Sequence, residues 1–304
     1  MEDQYSINLM QLNSERIRYM ELSRKHNIKL VFCYFNRIIK YIIMGKFEYA
    51  QYAISRALSI ATNKEVLTEV SKKSLCVESD ERIAVYTVLF GKYDNLKNPM
   101  YVSDNCDYYV VTNQDIDSSL VWKKFDLGKF KDIIDAFSDL EKARYFKLHP
   151  HKLFPEYKYS IFIDANIQIV TDLVPVVAQL GNNFIGIHNQ PGRDCVYQEA
   201  TEIIVIKKAP KEQVVQQVNA YQKEGFPKHY GLFRTCVVVR EHNNEKCIRL
   251  MNIWWENINR YSKRDQLSFT YSLWKMGLKK SAVSNLGNDV RTNPRFIESE
   301  HLKK

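Results

Sequence analysis

From residue 31 onward, apolar side chains recur at three- and four-residue intervals: Val31, Tyr34, Phe35, Ile38, Ile39, Ile42 and Ile43. That spacing lays an apolar stripe along one face of a helix. Gly45 offers a stop, and Tyr49, Ala50, Ala53, Ile54, Ala57 and Leu58 open a second stripe. The pattern predicts a helical hairpin inside an N-terminal region spanning residues 1–78. Beyond Ser74–Asp80 the texture changes. RIAVYTVLF (82–90), YYVVT (108–112), IFI (161–163), FIGIH (184–188) and CVVVR (236–240) are short apolar, β-branched runs that read as buried strands. Between them, 140–153, 249–261 and 267–276 carry helical spacing. Strands alternating with helices predict an α/β domain over residues 80–304, with a mostly parallel sheet covered on both faces.

In such a sheet the loops after the strands carry the ligand site. Four polar clusters follow predicted strands: Tyr93-Asp94, Asp164-Ala165-Asn166, His188-Asn189 and Glu241-His242. The second is the most informative. Side chains two apart on extended backbone point the same way, so Asp164 and Asn166 could converge on one cation or polar ligand. A plain turn competes with that reading, because Asp and Asn both hydrogen-bond their own backbone.

Composition narrows the classes. The 304 residues are 45% hydrophobic and 26% charged, with 10 Gly and 8 Pro, as in ordinary globular chains. The opening segment lacks a basic-then-apolar export pattern. Residues 28–44 are interrupted by Lys29, Asn36, Arg37 and Lys40 and are too short for a span. The expectation is a cytoplasmic protein, soluble or peripheral on the inner face of a membrane. Six cysteines without a C-x-x-C pair fit a reducing compartment. A net charge of +9 favours phosphate-bearing partners, nucleotides or an anionic membrane surface. The cations are dispersed, which argues against nucleic acid.

The order ERIAVYTVLFGKYDNL, CDYYVVTNQ, ARYFKLHPHKLFPEYKYSIFIDANI, RDCVYQEA, YQKEGFPKHYGLF, WW and RDQLSF resembles a glycosyltransferase-like family long catalogued as a domain of unknown function. That family is known from plant cell-wall or mucilage proteins and from bacterial polysaccharide loci. The likeness runs from about Arg82 to Gly277. The segment 143–170 is also similar to the stretch leading into the Asp-x-Asp motif of glycogenin-type and lipopolysaccharide-galactosyltransferase enzymes, and RDQLSF to their later Asp-Gln motif. These resemblances imply a GT-A-like fold, a nucleotide-sugar donor, a glycan or glycolipid acceptor, and a divalent metal, Mn²⁺ or Mg²⁺, held by Asp164. Asn166 departs from the pattern, standing where a second Asp is expected. GKFEYAQYAISRAL resembles the second helix of a single tetratricopeptide repeat.

Breaking a sugar–diphosphate bond leaves negative charge that a metal or fixed cations must stabilise. Candidate cations are Arg144, Lys147 and His151, spaced to share one helical face, although Pro150 threatens that helix. A solvated stripe, or Arg144 paired with Asp139 or Glu141, explains them equally. Thr87, Tyr93 and Asp94 are placed at the donor, with His188, Arg193 and Arg264. Glu199, Asp265 and Gln266 are the candidate catalytic residues, on the sugar or acceptor side; Asp265 would also serve as a helix cap. His242 and His301 are alternatives for a third metal ligand. Cys195 reads as a buried thiol, and Trp254-Trp255 either as core packing for both rings or as one ring in the core and one on a sugar face. Two rivals remain: a non-catalytic scaffold that has lost a metal ligand at Asn166, and a metal-dependent hydrolase built on His149, His151 and His188. Retention or inversion, the oligomeric state and the donor sugar stay open.

Overall fold

The structure is a computed structural model. It describes residues 81–301 except Lys92, Tyr93, Pro294 and Glu300, together with ten positions between Phe35 and Ile54. The chain divides into two compact units, 1–67 and 68–304. In the first unit, the described residues between 35 and 43 are helical. Gly45 turns the chain at φ +66°, its N–H bonded to the Ile42 carbonyl at 3.0 Å, and helix resumes by Phe47. Phe35, Ile43 and Phe47 are exposed there.

Among its described residues the second unit carries nine strands: β1 (Ile83–Val88), β2 (Cys106–Val111), β3 (Lys123–Lys124), β4 (Tyr159–Ile163), β5 (Ile167–Ile169), β6 (Ile185–Asn189), β7 (Phe233–Glu241), β8 (Ser284–Asn285) and β9 (Phe296–Glu298). Its helices are α1 (Lys131–Ala136), α2 (Asp139–Leu148), α3 (Pro150–Leu153), α4 (Val174–Ala178), α5 (Val196–Val205), α6 (Lys211–Lys223), α7 (Glu245–Arg260) and α8 (Asp265–Lys275). Seven strands form one sheet in the order β3-β2-β1-β4-β7-β6-β8. All run parallel except β7, which is antiparallel to both β4 and β6. The expected α/β class with a mostly parallel sheet is the one observed. β5 and β9 pair antiparallel in a separate two-stranded ribbon.

The sheet is covered on both faces. α2, α7 and α8 close one side over Tyr86, Phe146, Phe162, Val238, Trp254 and Phe269. The other side buries Val85, Ile161, Ile163, Val237 and Val239 with Leu173, Val176 and Val177 around α4. Local chemistry agrees with this packing. Ser138 and Glu141 form a reciprocal capping box on α2. Cys247, Leu250, Met251, Trp254 and Ile258 give α7 its buried stripe. Cys106, Cys195, Cys236 and Cys247 are free and buried.

Two sequence expectations change here. The helix read over 140–153 breaks at His149, the junction between α2 and α3, because Pro150 has no N–H to continue it. His151 therefore belongs to α3 and leaves the face shared by Arg144 and Lys147. The reversal of β7 also moves Glu241 and His242 to the edge opposite Asp164, since Tyr159 pairs with Glu241 and Ile163 with Val237. In exchange, Phe233–Cys236 lie on the Asp164 side. His242 is fully buried with Nε2 against the Phe154 carbonyl at 2.8 Å, and it is not placed to join Asp164 on an ion.

Candidate functional site

The site begins where β4 ends. Asp164 leaves the sheet with its N–H on the Cys236 carbonyl at 2.9 Å, and its own carbonyl accepts from Ile167 at 2.9 Å, closing the turn. Its side chain keeps a third of its surface open. Burial raises its pKa, opposed by the Lys147 ammonium, whose Nζ lies 3.8 Å from Oδ1.

Lys147 is the centre of charge. It is 1% exposed, sits over the Phe162 ring at 4.6 Å, and donates to Asp265 Oδ2 at 2.6 Å. Its backbone carbonyl, near the C-terminus of α2, accepts from the Tyr86 hydroxyl and from Arg240 Nη1, both at 2.8 Å. Arg240 is fully buried and donates to that carbonyl, the Tyr86 hydroxyl and Met251 Sδ. A cation at a helix C-terminus meets the negative end of the dipole, so Arg240 pins the turn that carries Lys147.

Asp265 opens α8 at its first position, with Arg264 as the cap residue. Its Oδ2 takes Lys147, Thr235 Oγ1 at 3.0 Å, and Arg144 Nη1 at 3.5 Å. Burial alone would raise its pKa, but Arg144 and Lys147 hold it well below the usual carboxylate range. Oδ2 is thus committed to these partners, while Oδ1 accepts from the Gln266 N–H at 3.2 Å. Gln266 does reach outward from α8, donating to Gln190 Oε1 at 2.7 Å. Arg144 also bonds the Lys263 carbonyl at 3.1 Å, neither solvated nor paired with Asp139 or Glu141.

The C-terminal segment crosses the same edge. His301 Nδ1 meets Asp94 at 2.9 and 3.1 Å, and Asp94 raises the His301 pKa. His301 lowers the Asp164 pKa and Asp164 raises that of His301, so of His242 and His301 it is His301 that lies within electrostatic reach of Asp164. Asn166 is buried; its Nδ2 donates to the Ser299 carbonyl at 2.8 Å. Among the described residues no three His, Cys, Asp or Glu side chains converge as a metal centre.

The other expected residues distribute as follows. Arg193 and Glu199 form a buried pair at 2.7 Å, so the Glu199 carboxylate already has a cation. Asp194 faces His229 at 2.7 Å on the surface. His188 is fully buried at the end of β6, with Nε2 against Asn293 at 2.9 Å and its pKa pushed down to about 3 by burial. It is neutral and offers no charge to a phosphate. Thr87 is buried within β1 with its hydroxyl unpartnered among the described residues. Tyr93 lies outside the described residues. His149 and His151 sit together, rings 5.6 Å apart, with pKa values lowered to about 3 and about 4 by burial. They are near His242 on the far edge, not with His188, so the three histidines of the hydrolase reading do not meet. Trp254 is core, its Nε1 on the Asp265 carbonyl at 2.8 Å; Trp255 packs with Phe137, Tyr145 and His149.

Four residues had escaped the sequence. Thr235 enters only because β7 runs backwards. Lys208 is exposed and lies within electrostatic reach of Arg264, Arg234 and Glu199. Lys207, at φ 55°, makes the turn that ends α5, with Lys208 N–H returning to the Ile203 carbonyl at 3.0 Å. Arg234 pairs with Glu298 and Asp289. A Gly-free turn and a lone lysine give no signal in sequence. A separate cavity of about 520 Å³ opens at the ends of β2 and β3, lined by Thr112, Lys124, Phe125, Leu127, Lys131 and Ile134.

Residues 135–301, more than half of the chain, match the family model of the TOD1/MUCI70 glycosyltransferase-like domain. A probable hexosyltransferase, MUCI70 of Arabidopsis thaliana, is 24% identical over 247 residues, covering 72% of this chain and 42% of that protein. The chain thus spans less than half the length of this relative. Among solved structures, the WbbM bifunctional glycosyltransferase aligns with 70% of this chain and 40% of its own at 15% identity and a TM-score of 0.42. The galactosyltransferase LgtC aligns with 66% and 72% at 11% identity and 0.38. Likeness at those scores does not define a fold, and the sheet order above stands on its own connections.

Proposed function

This chain belongs to the TOD1/MUCI70 glycosyltransferase-like family, and from that premise we propose that it transfers a sugar from a nucleotide-diphosphate donor to a glycan or glycolipid acceptor at the Asp164 edge of the sheet. The observation that carries this reading is the convergence of Asp164, Lys147, Arg144, Asp265 and His301 from four separate segments at that edge. In a mostly parallel sheet this is where ligands bind.

The donor set fits a divalent ion completed by the substrate. Asp164 supplies a hard oxygen, and His301, turned by Asp94 at Nδ1, has the carboxylate–histidine arrangement common in metal sites. Two protein ligands are too few for a resident ion, whereas ions of the Mg²⁺ kind are routinely held by one or two carboxylates plus substrate phosphates. When bound, the ion would neutralise charge on the leaving diphosphate.

The chain's own residues do the remaining work. Lys147, fixed between Asp265 and Asp164, supplies positive charge that needs no reorganisation as the sugar–oxygen bond lengthens. Arg264 at the start of α8 and Lys208 at the end of α5 add cations on the open side. Asp265 acts as a positioning residue, setting Lys147 and Arg144.

Calorimetry with a panel of UDP-, GDP- and ADP-sugars tests the reading, with and without Mn²⁺. The wild type should bind at least one donor, and Asp164→Ala should weaken it by more than ~10-fold, the loss that even an outer-shell change produces at such sites. Equal binding by both proteins, or none by the wild type, sinks it.

A further inference from the structure

We infer that Asn166 is a positioning residue: its side-chain amide fastens the C-terminal strand across the Asp164 turn and so sets His301 at the site. The inference rests on the donor-site reading above, but its central observation is independent of any ligand.

The β5–β9 ribbon is short. Its register runs Ile167 with Glu298, Gln168 with Ile297 and Ile169 with Phe296. One step beyond, both backbone groups of Ser299 are taken by the same residue. The Asn166 carbonyl accepts from the Ser299 N–H at 2.8 Å, and Asn166 Nδ2 donates to the Ser299 carbonyl at 2.8 Å. The side chain thus completes a rung of the ladder. Two residues later His301 meets Asp94, 207 positions away in sequence. Immediately before Ser299, Glu298 holds Arg234 and Arg291. Asn166 fastens the chain two residues before His301, and it is only 4% exposed.

This geometry accounts for the departure from an Asp-x-Asp pattern. A carboxylate has no N–H to give. Aspartate at 166 would leave the part-buried Ser299 carbonyl without this donor and set a negative charge against it. The third position of the motif is therefore chosen by the strand it holds, and not by an ion.

If Asn166 were instead a direct metal ligand, aspartate there would be the stronger one, so the two accounts predict opposite signs for Asn166→Asp. In the full-length protein, hydrogen exchange is followed across residues 296–301. Mn²⁺ is titrated in parallel, in the presence of whichever of UDP, GDP or ADP the wild type binds. Fastening predicts that the Ser299 amide is protected in the wild type. It also predicts that Asn166→Asp and Asn166→Ala both speed exchange in this segment by about tenfold, and that both weaken Mn²⁺ by ~10- to 100-fold. Unchanged exchange, or tighter Mn²⁺ binding by Asn166→Asp, overturns the proposal. An unprotected Ser299 amide in the wild type overturns it with no variant needed. A wild type that binds no nucleotide or Mn²⁺ would count against the donor-site reading alone, because the exchange comparison still decides the fastening.

Discussion

Lys147 is withdrawn from water and answers two carboxylates, one at 2.6 Å and one at 3.8 Å. Its stability therefore depends on residues far from it in sequence. Removing one partner of a buried pair costs about 3–5 kcal/mol, because the remaining charge is left without compensation. Asp164 stays near Lys147, so Asp265→Ala is expected at the lower end, about 3 kcal/mol. Urea unfolding followed by circular dichroism measures it, and a loss under about 1 kcal/mol would show that the pair is not the anchor described. At this scale the sequence was legible in part. The three-residue spacing of Arg144 and Lys147 correctly put both on one helical face, and Asp164 stood out at a strand end. The partner was not legible: Asp265 lies 118 residues from Lys147, and its place at the start of α8 looked like a cap or a sugar contact. Glu199 shows the same limit, since nothing in sequence announces that Arg193 will cover it.

Between elements, polar side chains fix how the strands and helices meet. Asp107 on β2 accepts from Arg82 at 2.5 and 2.7 Å, lies 3.6 Å from Lys123 on β3, and accepts from the Tyr157 hydroxyl at 2.9 Å. The bond from Arg82 is the main cause that brings the Asp107 carboxyl down to about 2, below its ordinary value. A depressed carboxylate contributes stability that is complete above its unfolded pKa, ~3.9, and is lost as pH falls through the folded value. Wild type should thus lose stability more steeply than Asp107→Asn as pH falls from ~4 towards ~2. Urea midpoints at a series of pH values test this, and parallel curves for the two proteins would refute it. Helix ends were partly readable, as the capping box on α2 and the break at Pro150 follow from local chemistry. Strand direction was not. Val237–Val239 are as apolar as any parallel strand, so only pairing with β4 and β6 reveals that β7 runs backwards, carrying His242 away from the site and Thr235 into it.

Across the whole molecule, the net charge of +9 and the cations at the Asp164 edge imply electrostatic attraction for a diphosphate. Partly open sites are screened by salt, so nucleoside-diphosphate affinity should fall by roughly tenfold between ~0.05 M and ~0.5 M salt. Calorimetry at constant Mn²⁺ reads this directly, and a salt-independent affinity would argue against the fixed cations. No described helix is long and apolar enough to cross a membrane. By itself the sequence determined the alternation of strands and helices, the buried layers, and Asp164 as the first residue to examine. Those properties are written in local spacing, because burial repeats with the period of the element. Only the tertiary structure decided which charges meet: Lys147 with Asp265, Asp94 with His301, Asn166 with Ser299. Such pairings join segments up to 207 residues apart, and no local period encodes a contact that exists only once the sheet has brought its edge together.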